Sequence, residues 1–233
     1  MDYPSQIKVG DRDFKVLYEK ALKRTSSVRI KNGAVVLKLS RYSFGRARDQ
    51  VVTKFLKWAE KKLKKVKKSD FGEQSFENGT SIVTHNKVYE LKVNVNDGRK
   101  KVKLLDGGVI EVSANKKSEV RELVEKTIIK DQTPYLKEVI DELNQLHFQK
   151  NYNMVRFKRV SSRFGSCSSK GNINIALRLL FSPREIFRYV CIHELAHLKE
   201  MNHSAVFWAL VEEAMPEYKD AERWLRNNGF MLG

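Results

Sequence analysis

The chain has two cysteines in 233 residues, Cys167 and Cys191. No disulfide framework can hold it together, and a reducing cytoplasm fits it. Prolines number only four and glycines 12, too few for a low-complexity or fibrous chain. No apolar run approaches the roughly 18 residues that cross a bilayer, and the opening Met1-Asp2-Tyr3-Pro4-Ser5-Gln6 lacks the basic-then-apolar pattern of a secretion signal. No membrane span or exported form is therefore expected. A phosphate-cradling Gly-Lys motif is also missing. Negative charge is scarce, with 28 Asp+Glu against 45 Lys+Arg and a net charge of +17.

The imbalance is uneven. Residues 1–118 hold 28 Lys+Arg against 13 Asp+Glu, whereas residues 119–233 hold 17 against 15. A field of that sign attracts polyanions, so nonspecific nucleic acid or another polyanion is an expected partner of the basic N-terminal part. With 41% hydrophobic and 31% charged residues, the chain has the composition of a globular protein rather than a disordered one.

The organising stretch is Cys191-Ile192-His193-Glu194-Leu195-Ala196-His197-Leu198, with His203 five residues beyond it. Two histidines four apart share one helical face, so both rings can reach a single zinc ion. Glu194 is turned about 100° round the helix. Its carboxylate thus stands beside the metal, placed to take a proton from an activated water. A catalytic zinc has three protein ligands, and His203 is the expected third, with Glu212 and Glu213 as its competitors. The turn that brings His203 back is assigned to Asn202 in a left-handed conformation. Upstream, Ser182-Pro183-Arg184-Glu185 reads as a capping box that opens the metal helix. Cys167 is a weak further ligand candidate, although both cysteines read better as small buried thiols.

Arg163-Phe164-Gly165-Ser166-Cys167-Ser168, Gly171-Asn172-Ile173-Asn174, His193 to Leu198, Asn202-His203-Ser204 and Phe207-Trp208 together resemble the YgjP-like metal-dependent hydrolases. That family is grouped with minigluzincin-type metallopeptidases and is related more distantly to the SprT and WLM proteases. The resemblance is dense over residues 159–218 and loose upstream; Phe164 stands where the family usually has tryptophan. It implies a zinc-dependent hydrolase fold and leaves the substrate open.

In chain order, residues 28–39 predict a hairpin around Asn32-Gly33. Arg46 to Lys68 predicts an amphipathic helix with a lysine-rich outer face and no aromatic platform for nucleic acid. Phe14 to Tyr18 is left open between strand and helix. Residues 88–112 predict an antiparallel meander. One helix is expected from Ser118 to Lys130 and another from Thr133-Pro134, with Leu146 on its buried stripe. His85 and His147 read as surface residues. Residues 153–160 and 172–180 predict strands with a turn between them, the second offering an edge to an extended peptide. Another helix is expected over 205–215, ended by Pro216, with Phe207, Trp208 and Val211 packed under the site.

The fold class is accordingly α+β: a basic β-rich part with an amphipathic helix, residues 1–118, then a small zincin-like metallopeptidase domain, residues 119–233. The expected activity is zinc-dependent hydrolysis, foremost of a peptide or protein, with His193, His197 and His203 on the metal and Glu194 as general base. Tyr218, Arg163 and Arg178 are candidates to stabilise the oxyanion. Two alternatives are hydrolysis of a nucleoside triphosphate and a noncatalytic polyanion-binding protein with a structural zinc.

Overall fold

Ile7, Val9, Phe14 and Val16 alternate with polar neighbours, the period of a strand with one buried face. In the computed structural model, which describes residues 3–10, 12–31, 34–64, 75–95 and 100–232, they lie on β1 (Gln6–Val9) and β2 (Arg12–Ala21). Phe14 to Tyr18 is thus strand. The expected hairpin forms from β3 (Ser27–Lys31) and β4 (Ala34–Ser40), while its turn, Asn32-Gly33, falls outside the described residues. The sheet order is β1-β2-β4-β3, with β2 and β4 parallel. Helix α1 (Gly45–Leu63) covers it, burying Val52, Ala59 and Leu63 against Val35, Leu37 and Leu39. Each such aliphatic side chain removes from water enough surface for about 1.5–3 kcal/mol, Ala59 less. Lys65, Lys67 and Lys68, expected on this helix, lie outside the described residues.

Residues 88–112 depart from the expected meander. β6 (Val88–Val95) runs parallel to β8 (Val109–Ala114), and β7 (Lys101–Leu104) pairs antiparallel to β8 on its other side. Burial explains the order. Tyr89, Leu91, Ile110, Val112 and Ala114 are buried, so their strands take the centre. Lys101 and Lys103 are exposed and leave β7 at the edge, where lysine also discourages further pairing. With β5 (Ser81–Val83) the order is β5-β6-β8-β7.

This second sheet repeats the first in order, direction and register. Ile7 pairs with Phe14 as Ile82 pairs with Tyr89, and Val16 pairs with Val35 as Leu91 pairs with Ile110. Each residue named in the first copy has its counterpart 75 positions on. A long helix follows each sheet, α2 (Lys117–Leu143) in the second copy. Tyr89 differs from Phe14 by its hydroxyl, and the second copy supplies partners for it. The hydroxyl donates to Asp131 and accepts from Gln132 at 2.6 Å, while Lys87 meets Asp131 at 2.7 Å. These bonds pin β6 to α2.

α2 is one 27-residue helix with Pro134 inside it, so Pro134 does not start a second. Val124 and Ile128 before it and Leu136 and Ile140 after it are all fully buried. Their shared apolar face outweighs the bond that proline removes. The helix ends in a π-turn, Asn144–Phe148, which leaves Leu146 exposed rather than buried. His147 lies within that turn, and its carbonyl accepts from Lys199. His85 is not a surface residue: its ring lies 4.7 Å from that of Phe187 and its Nε2 3.2 Å from the Tyr135 hydroxyl.

A third sheet has the order β10-β11-β9, from β9 (Met154–Lys158), β10 (Gly165–Cys167) and β11 (Asn172–Ala176). β9 and β11 are parallel. β11, the strand expected to offer an edge, is therefore central, and the two edges are β9 and β10, the latter within the stretch expected to be a turn. By contacts the chain divides into residues 1–71 with 223–233, and residues 72–222, rather than at the charge boundary near 118. No described helix is long and apolar enough to cross a membrane.

Candidate active site

The apolar spacing of Ile186, Tyr189, Val190 and Leu195 places α3 (Arg184–Ala196) in the core and turns His193 and His197 to one side. The expected capping box does not form. Pro183 occupies the cap, and the Ser182 hydroxyl donates instead to the Leu179 carbonyl at 2.7 Å. The turn after α3 also differs from expectation, since among the described residues only Gln149 of the non-glycines has a positive φ. Asn202 is thus not left-handed. Glu200 makes the turn: its carboxylate accepts from the Asn202 N–H at 3.0 Å, and its carbonyl oxygen lies 3.1 Å from His197 Nδ1. The second contact fixes a proton on Nδ1 and leaves Nε2 as a lone-pair donor.

His193, His197 and His203 present ligand nitrogens that all lie within 4.8 Å of one another, with His193 and His203 Nε2 3.0 Å apart. Nitrogens bound tetrahedrally at zinc distances stand about 3.3 Å apart, so the triad fits a divalent ion of that kind. Burial is the main cause that pushes the His193 pKa down, to about 3, with His197 and His203 adding to it. It stays neutral, as ligation requires. Phe207, on α4 (Ala205–Ala214), floors the cluster with ring centroids 4.6–4.9 Å from the three imidazoles. The Ser204 hydroxyl caps α4 by accepting from the Phe207 N–H. Glu212 and Glu213 are exposed on α4, outside the triad, and Glu212 pairs with Lys219.

Glu194 is buried beside the triad, and its Oε2 has no hydrogen-bond partner. Burial pushes its pKa up to about 8, against a lowering pull from Arg163. A buried, unpartnered carboxyl oxygen is costly and marks a place where a proton from an activated water can be accepted. Gly165 on β10 makes room for it: a Cβ there would stand 2.7 Å from Glu194 Cγ. A glycine inside a short strand signals such a close approach, and this role was legible only once β10 was in place. We expect Gly165→Ala to displace Glu194 and to lower turnover about 10- to 100-fold with the metal retained. Steady-state kinetics beside metal analysis would check it, and unchanged turnover would refute it.

The three oxyanion candidates separate. Arg178 donates to the carbonyls of Ser161 and Arg163, and its guanidinium carbon lies 4.2 Å from the Phe164 ring centroid, so it braces the loop. Arg159 adds a second brace through Glu125, itself held by Arg121 on α2. Tyr218 is buried and stacks on Trp208, 5.5 Å between ring centroids. Arg163 is exposed, and its charge reaches Glu194. Cys167 lies outside the triad; burial and the Glu194 charge push its thiol up to about 11, so it stays protonated. Cys191 is fully buried, and neither cysteine forms a disulfide.

An imidazole triad at ligand spacing beside a buried carboxyl group defines a class, the metal-dependent hydrolases. The family model described as YgjP-like, metallopeptidase domain, matches residues 24–228, and the chain belongs to that family. A curated relative, the UTP pyrophosphatase of Escherichia coli (strain K12), is 30% identical over 79 residues, which are 34% of this chain and 47% of the relative. The chain thus spans about half the length of that relative. Two solved structures are also similar. The metallopeptidase zymogen of Pyrococcus abyssi abylysin has 27% identity and a TM-score of 0.36, over 39% of this chain and 92% of its own. That of Methanocaldococcus jannaschii jannalysin has 19% identity and a TM-score of 0.34, over 39% and 93%. Scores this low leave the assignment to the family model.

Proposed function

We propose that the protein is a zinc-dependent hydrolase of peptide bonds, with His193, His197 and His203 as the metal ligands and Glu194 as general base. The observation that carries this reading is the unpartnered buried Glu194 carboxylate beside three nitrogens at ligand spacing. Bound zinc would acidify a water and polarise the scissile carbonyl. Glu194 would accept the water proton at Oε2 and return it to the leaving amine. Glu200 would keep His197 in the ligating tautomer through its carbonyl. The position of β10 as an edge strand beside Glu194 supports an extended substrate, which could pair with residues 165–167 by main-chain bonds. Arg163 would stabilise the oxyanion, and Arg163→Ala is expected to lower kcat/KM about tenfold.

A second reading, cleavage of a phosphoanhydride in a nucleoside triphosphate, is favoured by the same Arg163 cation and by the name of the curated relative. The zinc-loaded protein should be offered a peptide library, read by mass, and the common nucleoside triphosphates, read by pyrophosphate release. Peptide cleavage abolished by Glu194→Gln supports the first reading. Glu194-dependent pyrophosphate release alone would replace it with the second, and turnover of neither would overturn both.

A further inference from the structure

The first compact unit exposes three aromatic rings among its cations. Tyr42, Phe44 and Trp58 are 54%, 70% and 40% exposed. Tyr42 and Phe44 lie where β2 and β4 end together, the Arg41 N–H donating to the Ala21 carbonyl at 3.0 Å. The exposed Leu22, Lys23 and Arg24 leave β2 at the same end. The Arg41 guanidinium lies 4.8 Å from the Tyr42 ring centroid and donates to its hydroxyl at 2.7 Å. This end leads directly into α1.

Along α1, Arg46, Lys54, Lys57, Lys61 and Lys64 are all exposed and fall within about 80° of the helix circumference. They form one stripe about 27 Å long, and Trp58 borders it between Lys54 and Lys61. Arg46, Lys54 and Lys57 border one shallow hollow with Asp49, Gln50 and Thr53, and Lys57, Lys61 and Lys64 border the next with Glu60. Among the described residues none of the five pairs with a carboxylate, and Asp49 accepts from the Tyr3 hydroxyl. The second copy behaves differently: on α2, Arg121 pairs with Glu125 and Lys126 with Glu122. The stripe belongs to the first copy and is not needed to build the repeat.

We propose that this face binds single-stranded nucleic acid, its phosphates tracking the stripe and unstacked bases resting on Tyr42, Phe44 and Trp58. Cations in a row suit any polyanion, but exposed aromatic faces beside them are matched by bases free of a duplex. The platform missing from the sequence reading lies at the head of α1, where residues 42 and 44 directly precede the helix, and the fold leaves their rings exposed. The proposal is independent of the hydrolytic reading.

Fluorescence anisotropy with labelled oligo(dT) and oligo(U) of about 12 nucleotides, a duplex of equal length, and heparin tests it. We expect Tyr42→Ala with Phe44→Ala to weaken single-strand binding about tenfold or more and to leave heparin binding unchanged. Lys54→Gln, Lys57→Gln and Lys61→Gln together should weaken both ligands and flatten the logarithmic salt slope by about two. Lys101→Gln with Lys103→Gln, on the second copy, should change neither. Equal losses for heparin and oligonucleotide in the aromatic variant, no loss for either, or a duplex bound as tightly as the single strand would each overturn the proposal. So would displacement of the oligonucleotide by anionic phospholipid vesicles that bind more tightly. All the substituted side chains are exposed, and matching thermal melts confirm that the variants fold.

Discussion

Glu194→Gln is expected to lower hydrolysis by about 10²- to 10⁴-fold while the metal stays bound. The amide keeps the size of the carboxyl group and fits the space left by Gly165, but it cannot take up a proton. The same substitution should stabilise the metal-free protein. Burial raises the Glu194 pKa from 4.5 to about 8, so the folded state prefers the protonated form. The stability is fully present below about pH 4.5 and is lost as pH rises towards 8, because the unfolded chain releases the proton earlier. Glutamine removes that loss. Melted in chelator, wild type and variant should coincide near pH 4, and the variant should be the more stable at pH 8 by about 2–4 kcal/mol. Full turnover in the variant would remove the general-base assignment; identical melting at pH 8 would show that the carboxyl group is solvated.

His203→Ala is expected to weaken metal binding by about 100-fold or more, and activity should fall with it. His203 is exposed, unlike His197, so its loss should leave the metal-free fold unchanged. That separates ligation from packing, which a substitution at His197 would mix. Metal content by elemental analysis and a competition titration with a chelator are the two measurements. Retention of one metal per chain at wild-type affinity would reassign the third ligand, and Glu212 or Glu213 would then have to leave the surface of α4 to reach it.

Much of the candidate site was legible in the sequence because its determinants are local. A four-residue spacing sets His193 and His197 on one helical face, and His203 needs only a short return. The return itself was misassigned. Glu200 looked like the wrong residue for a turn, but it works through its carbonyl and its carboxylate and needs no left-handed backbone. Gly165 and Arg178 could not be read in this way. Each acts on a group distant in sequence, Gly165 on Glu194 and Arg178 on the carbonyls of residues 161 and 163.

The strands were legible singly and not in their pairing. Alternation shows which residues face the core, but it does not show that β8 inserts between β6 and β7, since that depends on which strands bury their inward residues most fully. The repeat is faint in the sequence for a related reason. Its two copies share apolar character, Phe14 with Tyr89 and Val35 with Ile110, rather than identical residues. Pro134 was over-read as a boundary because the helix start signal is local, whereas the buried faces on either side of it are joined only in the tertiary fold.

The return of residues 223–233 to the first compact unit, where Phe230 and Met231 pack against its core, reverses the usual order of maturation during synthesis. Domains ordinarily settle from the N-terminus as they leave the ribosome. Here residues 72–222 form one unit without any later segment, while the unit built on the first two strands also needs residues 223–232. A chain whose residues 72–222 have cleared the ribosome therefore has every residue of the second unit in place, while the first still lacks the segment that carries Phe230 and Met231.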